Sequence, residues 1–260
     1  MKKNSENIIF FFYPGRSERL GFINDISKEF FYSFIEATEK FENVQLIEVK
    51  NIENTHQKIM KFYDRVVFKI SRIQSNSEKY CEKKYRNLFK ENNILVFTNF
   101  ALGLSAVPFL LKNMFKKNND IFVINSGLFS FRTTNFIQKI FRTIYLNIFF
   151  NLVTKIIFTS KTEYSFAVEN FNKYLNKFKL IEFCPDVSFW SKEDTPLSKG
   201  KKDILFIGNN EERCFEILEP LAIELKDYQF TYITNNESVT KINLPNVNTI
   251  SAKWSGNNLS

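Results

Sequence analysis

The chain has 260 residues, of which 44% are hydrophobic and 25% charged, a composition typical of a folded globular protein and not of a disordered one. Its formal net charge of +8 suits an anionic partner, either a phosphate-bearing substrate or the surface of an anionic bilayer. No Arg-rich block is interleaved with aromatic residues, so we expect no nucleic-acid partner.

Cysteine and histidine usage argues against a metal centre. The chain has 3 cysteines without metal-ligand spacing and a single histidine, His56, which we assign to the surface. An odd number of cysteines fits a reducing cytoplasm. The apolar run at residues 8–13 is too short for a signal-peptide core, and no run of about eighteen apolar residues predicts a transmembrane helix.

Short apolar runs alternate along the chain with longer stretches of helical period. The predicted strands are 8–13, 44–49, 94–98, 121–125, 156–159, 180–183, 204–207, 230–234 and 247–250. The predicted helices are 26–41, 54–70, 77–89, 102–116, 134–151, 161–175 and 211–226. This order predicts a doubly wound α/β fold, a parallel sheet covered on both faces. We expect the helix at 134–151 to be a buried core helix, because apolar residues lie on most of its sides.

A polar stretch without periodicity marks a domain boundary. Residues 191–202 contain Pro196 and Gly200 among charged and hydroxyl side chains. Six predicted strands precede this stretch and three follow it. We predict an N-terminal Rossmann-like domain at 1–190, a linker at 191–202 and the start of a second Rossmann-like domain at 203–260.

Ligands of doubly wound sheets bind at the carboxyl ends of strands, so the loops there hold the candidate site residues. After the first strand, Gly15 permits close approach of the backbone to a ligand, and Arg16 and Arg19 have the charge to grip a phosphate or carboxylate. After the fourth strand, Asn125 and Gly127 are placed to face the same cleft. Ordinary solvated loops remain the alternative in both places.

A turn in the second domain offers a comparable site. Gly208 ends a predicted strand, and Asn209 and Glu212 have the spacing of a capping box at the start of the next helix. Free N–H groups at such a start suit a diphosphate, to which Arg213 adds a charge. Plain helix capping is the alternative reading of this turn. By the same logic, Ser160 and Glu163 are caps rather than catalysts.

Several catalytic motifs are absent from the sequence. It has no Walker GxxxxGK[ST], no GxGxxG, no Asp-x-Asp pair and no Ser/His/Asp grouping. The catalytic residue is therefore open, with Glu18, Asp25 and Glu163 as candidates for a base.

The stretch Phe183-Cys184-Pro185-Asp186-Val187-Ser188-Phe189-Trp190 resembles the inter-domain "F-G-V-D-x-x-F-W" element of GT-B fold glycosyltransferases that build bacterial surface polysaccharides. It matches at the first phenylalanine, the aspartate and the final Phe-Trp pair. Cys184-Pro185 replaces Gly-Val, which is a departure from the pattern.

Three further stretches resemble the same family in the same order. Residues 156–163 resemble its "ad-x-ii-x-x-S" strand and helix start, and residues 204–213 its "v-G-n-D-x-x-R-D" opening of the donor domain. Residues 29–32 resemble an N-terminal "E-F-x-Y-G" stretch. Asn210 and Cys214 stand where the family has aspartates, and the histidine of some relatives has no counterpart.

The resemblance implies an acceptor domain and a donor domain, with a nucleotide-sugar donor and a saccharide or lipid-linked acceptor in a metal-free site. By resemblance, Gly208, Asn209 and Arg213 bind the donor diphosphate, and Gly15 with Arg16 forms the cleft loop on the acceptor side. Stabilisation of the leaving diphosphate is then the main catalytic effect. The implied location is the cytoplasm, with peripheral contact to the inner face of the plasma membrane.

The donor domain of the family extends well beyond the three strands that follow the linker. We therefore expect this chain alone to have little or no transferase activity, as a fragment, a truncated gene product or one half that needs a partner chain. The alternative is a non-catalytic acceptor-binding or assembly subunit that pairs with a separate donor-domain protein. A Rossmann-type epimerase is a third reading, weakened by the missing GxGxxG.

Overall fold

The computed structural model describes residues 7–21, 27–50, 57–113, 119–129, 135–190, 202–208 and 214–251. The chain divides into two compact units, unit 1 at residues 1–190 and unit 2 at residues 191–260. His56 and Asp25 lie outside the described residues.

Unit 1 is built on a six-stranded sheet in the order β2-β1-β3-β4-β5-β6, and every pair of neighbouring strands is parallel. The strands are β1 Asn7–Phe12, β2 Val44–Glu48, β3 Asn93–Phe97, β4 Asp120–Asn125, β5 Lys155–Phe158 and β6 Phe178–Leu180. The connection from β2 to β3 passes over β1, so β2 lies on one side of β1 and β3 to β6 lie on the other. This reversal of strand order is typical of Rossmann-like folds.

The helices of unit 1 fill the connections between these strands. They are α1 Arg16–Leu20, α2 Phe34–Lys40, α3 Gln57–Ser71, α4 Lys83–Leu88, α5 Phe100–Asn113, α6 Phe136–Leu152, α7 Lys161–Asn170 and α8 Val187–Trp190. Short 3₁₀ helices occur at Lys28–Phe31, Ser77–Tyr80 and Asn172–Lys177.

The two faces of the sheet are covered unequally. Helices α3, α5, α6 and α7 pack on one face, here called the helical face, where buried Phe11 and Phe97 stack at 4.8 Å between ring centroids. Phe31, Phe34 and Ile35 cover part of the other face, here called the open face. Parallel crossovers are right-handed, so reversing the direction of strand addition moves the connecting helices to the opposite face. Among the described residues, the β1–β2 connection supplies the helices of the open face, so helices lie on both faces as predicted, but the open face is covered only in part.

Unit 2 has a three-stranded parallel sheet in the order β7-β8-β9. Its elements are β7 Asp203–Ile207, a 3₁₀ helix Phe215–Ile217, α9 Leu218–Glu224, β8 Gln229–Ile233, α10 Glu237–Thr240 and β9 Val247–Ile250. Phe230 and Tyr232 are buried in its core. Leu205, Ile207 and Ile250 alternate with inward-facing residues and are 60%, 41% and 44% exposed. Only one face of this sheet is covered among the described residues.

All nine predicted strands are present in the described residues, most of them within one residue of the predicted limits. The predicted helices differ more. The helix predicted at 26–41 is two short helices, because Tyr32 and Ser33 interrupt it with φ of 49° and 64°. The predictions at 77–89, 161–175 and 211–226 also divide into a 3₁₀ and an α segment, and α1, α8 and α10 are unpredicted.

The helix predicted at 134–151 is not buried along its whole length. Leu146, Phe149 and Phe150 in its second half lie in the core, but Phe136 and Ile137 in its first half are 73% and 60% exposed. No helix among the described residues has both the length and the apolar character that a membrane span requires.

Three helices of the helical face are joined by a chain of hydroxyl groups. The Tyr63 hydroxyl donates to that of Tyr145 at 3.2 Å, and Tyr145 donates to the carbonyl oxygen of Leu104 at 3.2 Å. Leu104 lies four residues before Pro108, which has no N–H to give that carbonyl its usual partner. Burial raises the pKa of Tyr145, so its hydroxyl remains a neutral donor.

Candidate functional site

A cleft of about 660 Å³ opens on the open face of the unit 1 sheet. This volume lies in the range of small-molecule sites. Its floor is apolar and is formed by Phe10, Val96, Phe122, Ile124 and Ile157. Residues 28–36 form one wall, and residues 181–187, which follow β6, form the other. The cleft exists because, among the described residues, the helices that connect β3 to β4 and β4 to β5 pack on the opposite face.

The rim of the cleft carries four carboxylates and one ammonium group, from Glu29, Glu36, Glu182, Asp186 and Lys28. The Glu182 carboxylate lies 3.0 Å from the ammonium of Lys161. Glu36 is exposed and makes no hydrogen bond or ion pair within the part of the chain that the structure describes. Glu36 is thus a cleft carboxylate available to a ligand.

The two walls are fastened to each other by reciprocal hydrogen bonds. The N–H of Asp186 donates to Glu29 Oε2 at 2.8 Å, and the N–H of Lys28 donates to Asp186 Oδ2 at 3.2 Å. The hydroxyl of Ser27 also bonds to Glu29, and the rings of Phe30 and Phe183 lie 6.3 Å apart. Two of the stretches that carry the family resemblance therefore meet in space and shape the cleft.

The first wall contains two consecutive residues with left-handed backbone. Tyr32 has φ 49° and Ser33 has φ 64°, and both line the cleft. An L-residue there costs about 1–2 kcal/mol, and glycine takes this conformation without that cost. Ser33 stands where the "E-F-x-Y-G" pattern has glycine, and its backbone adopts the left-handed conformation that glycine favours.

The loop after β1 is closed by a carboxylate of the protein itself. Gly15 has φ 98°, and the N–H groups of Arg16 and Ser17 donate to Glu48 Oε1 at 2.5 and 2.7 Å. Burial acts to raise the pKa of Glu48, but the N–H bonds from Ser17 and Arg16 outweigh it and the net pKa is lowered. The backbone N–H groups of this loop therefore hold an internal anion.

Neither arginine of this loop forms an ion pair with Glu48 among the described residues, although the Glu48 charge acts on Arg16. The guanidinium of Arg16 lies 5.8 Å from the centroid of the Phe30 ring, next to the wall of the cleft. Arg19 is half-buried in α1, and Glu18 in the same helix is exposed. Anion binding by the two arginines stays a prediction.

The loop after β4 is organised in the same way. Glu163 accepts the N–H of Gly127 at 2.8 Å, the N–H of Phe129 at 3.0 Å and the side-chain amide of Asn125 at 3.4 Å. Arg142 holds the other side of the loop by donating to the carbonyl oxygen of Leu128 at 2.6 Å. With three donors on its carboxylate, Glu163 has a structural role at this loop and is a poor candidate for a base.

The predicted donor site in unit 2 is described only at its first residue. Gly208 directly follows β7, is buried, and donates its N–H to the carbonyl oxygen of Ile233 at 3.1 Å. Asn209 and Arg213 lie outside the described residues.

The cleft is lined by residues that the sequence reasoning did not select. Gly15, Arg16, Arg19, Asn125 and Gly127 all lie at carboxyl ends of strands, but the structure does not bring them together in this cleft. Thr159 is the link nearest to them: its hydroxyl lines the cleft and donates to the carbonyl oxygen of Asn125 at 3.2 Å. The open face could have been predicted from the strand order, because right-handed crossovers place the later connecting helices on the opposite face.

Within the described ranges no three His, Cys, Asp or Glu side chains are grouped to hold a metal ion, and the three cysteines are free thiols. Neither a protein-family model nor a curated protein matches this chain.

Proposed function

We propose that this protein is a glycosyltransferase subunit that binds the saccharide acceptor in the unit 1 cleft and takes the sugar from a nucleotide-sugar donor. The observation that carries the proposal is the cleft itself, with an apolar floor and a carboxylate rim. Apolar side chains pack on the C–H faces of a sugar ring, and carboxylates accept hydrogen bonds from its hydroxyl groups. Such a rim repels phosphate, so the cleft suits the acceptor better than the donor.

Within this proposal, Glu36 accepts the proton of the attacking acceptor hydroxyl. It is the cleft carboxylate without a partner among the described residues, whereas Glu29, Glu182 and Asp186 hold other groups. General-base help of this kind contributes about 10²–10⁴-fold to a rate. The donor diphosphate would be bound at Gly208, Asn209 and Arg213, as the family resemblance implies, and no metal is required.

Saccharide binding tests the assignment of the cleft. Purified protein is screened by saturation-transfer NMR against a panel of oligosaccharides, and the best ligand is titrated against Glu36→Gln and Glu39→Gln. Both glutamates are exposed on α2, but only Glu36 lines the cleft. We expect the saccharide affinity to fall about tenfold in Glu36→Gln and not in Glu39→Gln, because tenfold corresponds to the loss of one hydrogen bond to a charged group. Equal binding by both variants, or no saccharide binding at all, contradicts the proposal.

A non-catalytic assembly subunit is the second candidate, and unit 2 favours it. The sheet face with Leu205, Ile207 and Ile250 is apolar and uncovered among the described residues, a surface that suits a partner chain. Titration with labelled nucleotide sugars separates the two candidates. Sugar transfer by the purified chain identifies an enzyme complete in itself. Saccharide binding without nucleotide-sugar binding favours the subunit.

A further inference from the structure

Helices α3 and α6 expose an unusual amount of apolar surface. In α3, Ile59 and Phe62 are 70% and 67% exposed, and in α6 Phe136 and Ile137 are 73% and 60% exposed. The α3–α6 strip is defined here as the exposed apolar residues of both helices apart from Phe68: Ile59, Phe62, Val66, Ile70, Phe136, Ile137, Ile140, Phe141 and Ile144. Exposed apolar surface of this extent on neighbouring elements marks an interaction site.

The two helices lie side by side and antiparallel, so their exposed residues form one surface. Gln138 donates to the carbonyl oxygen of Lys69 at 3.2 Å, and Tyr63 contacts Tyr145 at the other end. At about 100° per residue, Ile59, Val66 and Ile70 lie within about 60° of Tyr63 on the side of α3 that faces α6.

The same angular argument, applied to α6, places three of its exposed apolar residues next to those of α3. Phe141, Ile137 and Ile144 lie within about 100° of Tyr145, on the outer side of α6 and next to α3. These residues of the strip therefore form one surface across the contact between the helices, and Ile140 and Phe136 extend it toward the far side of α6.

Every exposed charge on these two helices is positive. Exposed Lys58, Lys61, Arg65 and Lys69 follow the flank of α3 beside the strip, and Lys139 is exposed on α6. The one carboxylate in either helix, Asp64, is buried, and it accepts hydrogen bonds from Ser75 and from the N–H of Ser77 at 2.6 and 2.8 Å.

We propose that the α3–α6 strip docks on the surface of a bilayer that contains anionic lipid. The apolar side chains enter the boundary between headgroups and acyl chains, and the flanking cations reach the lipid phosphates. The uniform charge selects this occupant, because a second copy of the chain would bring the same cations against each other. This inference does not depend on the proposed catalytic function, since the strip lies on the helical face and the cleft on the open face.

Sedimentation with vesicles tests the proposal. The purified 260-residue chain is mixed with vesicles of phosphatidylcholine alone, or of phosphatidylcholine with about 30% phosphatidylglycerol, at low and high salt. We expect binding only to the anionic vesicles and weaker binding as salt rises, because screening shortens the reach of the cations. Each cation near such a surface contributes about fivefold in affinity, so Lys61→Gln with Arg65→Gln should weaken binding about 25-fold.

The apolar half of the strip is tested by Phe62→Ser with Ile137→Ser. We expect partitioning to fall at least about tenfold, because both side chains lose most of their buried area in the bilayer. Phe41→Ser, 55% exposed but on unit 1 away from α3 and α6, is the matched apolar control, and Lys40→Gln is the matched charge control. Thermal unfolding should be unchanged in all variants, because these side chains are exposed.

Two results overturn the proposal. One is a failure to bind anionic vesicles, or binding that the strip variants and the controls lower equally. The other is a wild-type dimer in sedimentation velocity that the strip variants convert to monomer, which assigns the strip to a second copy of the chain.

Discussion

Carboxylates that bond to backbone N–H groups fix the loops of unit 1. Each of three carboxylates, those of Glu48, Glu163 and Glu29, accepts a backbone N–H from a residue far away in the sequence. The separations along the chain are 32, 36 and 157 residues, respectively. The sequence predicts the turns themselves, because Gly15 and Gly127 follow apolar strands. It does not predict which carboxylate closes each turn, since that depends on which strands are neighbours in the sheet. The loop at Gly15 and Arg16, predicted to bind an anion through its arginines, thus already holds the Glu48 carboxylate on its backbone.

Glu48→Gln should remove a pH-dependent contribution to stability. The side chain is 8% exposed and holds two N–H groups, so we expect the free energy of unfolding to fall by about 1–3 kcal/mol at pH 7. Because the pKa of Glu48 is lowered by folding, its stabilisation is complete above its unfolded value of about 4.3 and is lost as pH falls through the folded value. Urea unfolding between pH 7 and pH 3 measures both effects.

The control for this prediction is Glu42→Gln, an exposed glutamate just before β2. It should leave the stability at each pH nearly unchanged. If Glu48→Gln and the wild type lose stability in parallel below pH 4.5, the carboxylate does not act as described.

Ser33 predicts a second effect at the level of one residue. With φ at 64°, Ser33→Gly should be neutral or stabilise the protein by up to about 1 kcal/mol, because it relieves left-handed strain. Ser33→Val should destabilise by about 1–2 kcal/mol, because a β-branched residue tolerates this conformation poorly. Chemical unfolding compares the two variants, and the reverse order of stability would refute the assignment of strain.

At the scale of elements, strands were predicted better than helices for a physical reason. Buried parallel strands are continuous apolar runs and leave a clear mark in the sequence. Helix limits depend on local breaks such as Tyr32-Ser33, where the pattern of side chains continues although the backbone turns. The exposed half of α6 was missed because a sequence reveals how apolar a helix is, and not which neighbours are available to cover it.

Helices α5 and α6 give a prediction about coupling. Tyr145→Phe removes the donor to the Leu104 carbonyl and should cost about 1–3 kcal/mol, because that oxygen has no N–H from Pro108. Pro108→Ala restores a backbone N–H at position 108, four residues after Leu104, which can donate to the Leu104 carbonyl. In the Pro108→Ala background, the cost of Tyr145→Phe should therefore be smaller by about 0.5–1.5 kcal/mol.

A double-mutant cycle by urea unfolding measures this coupling. Additive effects of the two substitutions would mean that the hydroxyl does not replace the missing N–H. Tyr63→Phe in the same two backgrounds is the control, since its hydroxyl contacts Tyr145 and not Leu104.

At the scale of the whole molecule, the sequence predicted an α/β fold with parallel sheets because strands and helices alternate throughout. The unequal coverage of the sheet, and hence the cleft, was not predicted. This unequal coverage follows from the crossover between β2 and β3. The strand pairings involved join segments more than thirty residues apart, and hydrophobic periodicity does not show which strands pair.

The two units have separate cores, which predicts separate responses to mutation. Phe230 is 1% exposed in the small core of unit 2, so Phe230→Ala should cost about 3–5 kcal/mol, comparable to the entire stability of so small a unit. By hydrogen exchange, amides of β7–β9 should lose protection while those of β1, β3 and β4 keep it. Loss of protection throughout the chain would show instead that the units fold as one.

The unequal coverage of the sheet in unit 1 also limits what an acceptor can look like. A bilayer docked at the α3–α6 strip is separated from the cleft by a layer of helices and the sheet, a distance of about 20 Å. If the proposed acceptor cleft and the proposed docking strip both hold, a growing oligosaccharide spans this distance more readily than a single sugar held at headgroup depth. The spacing would then favour a transferase that extends chains over one that starts them.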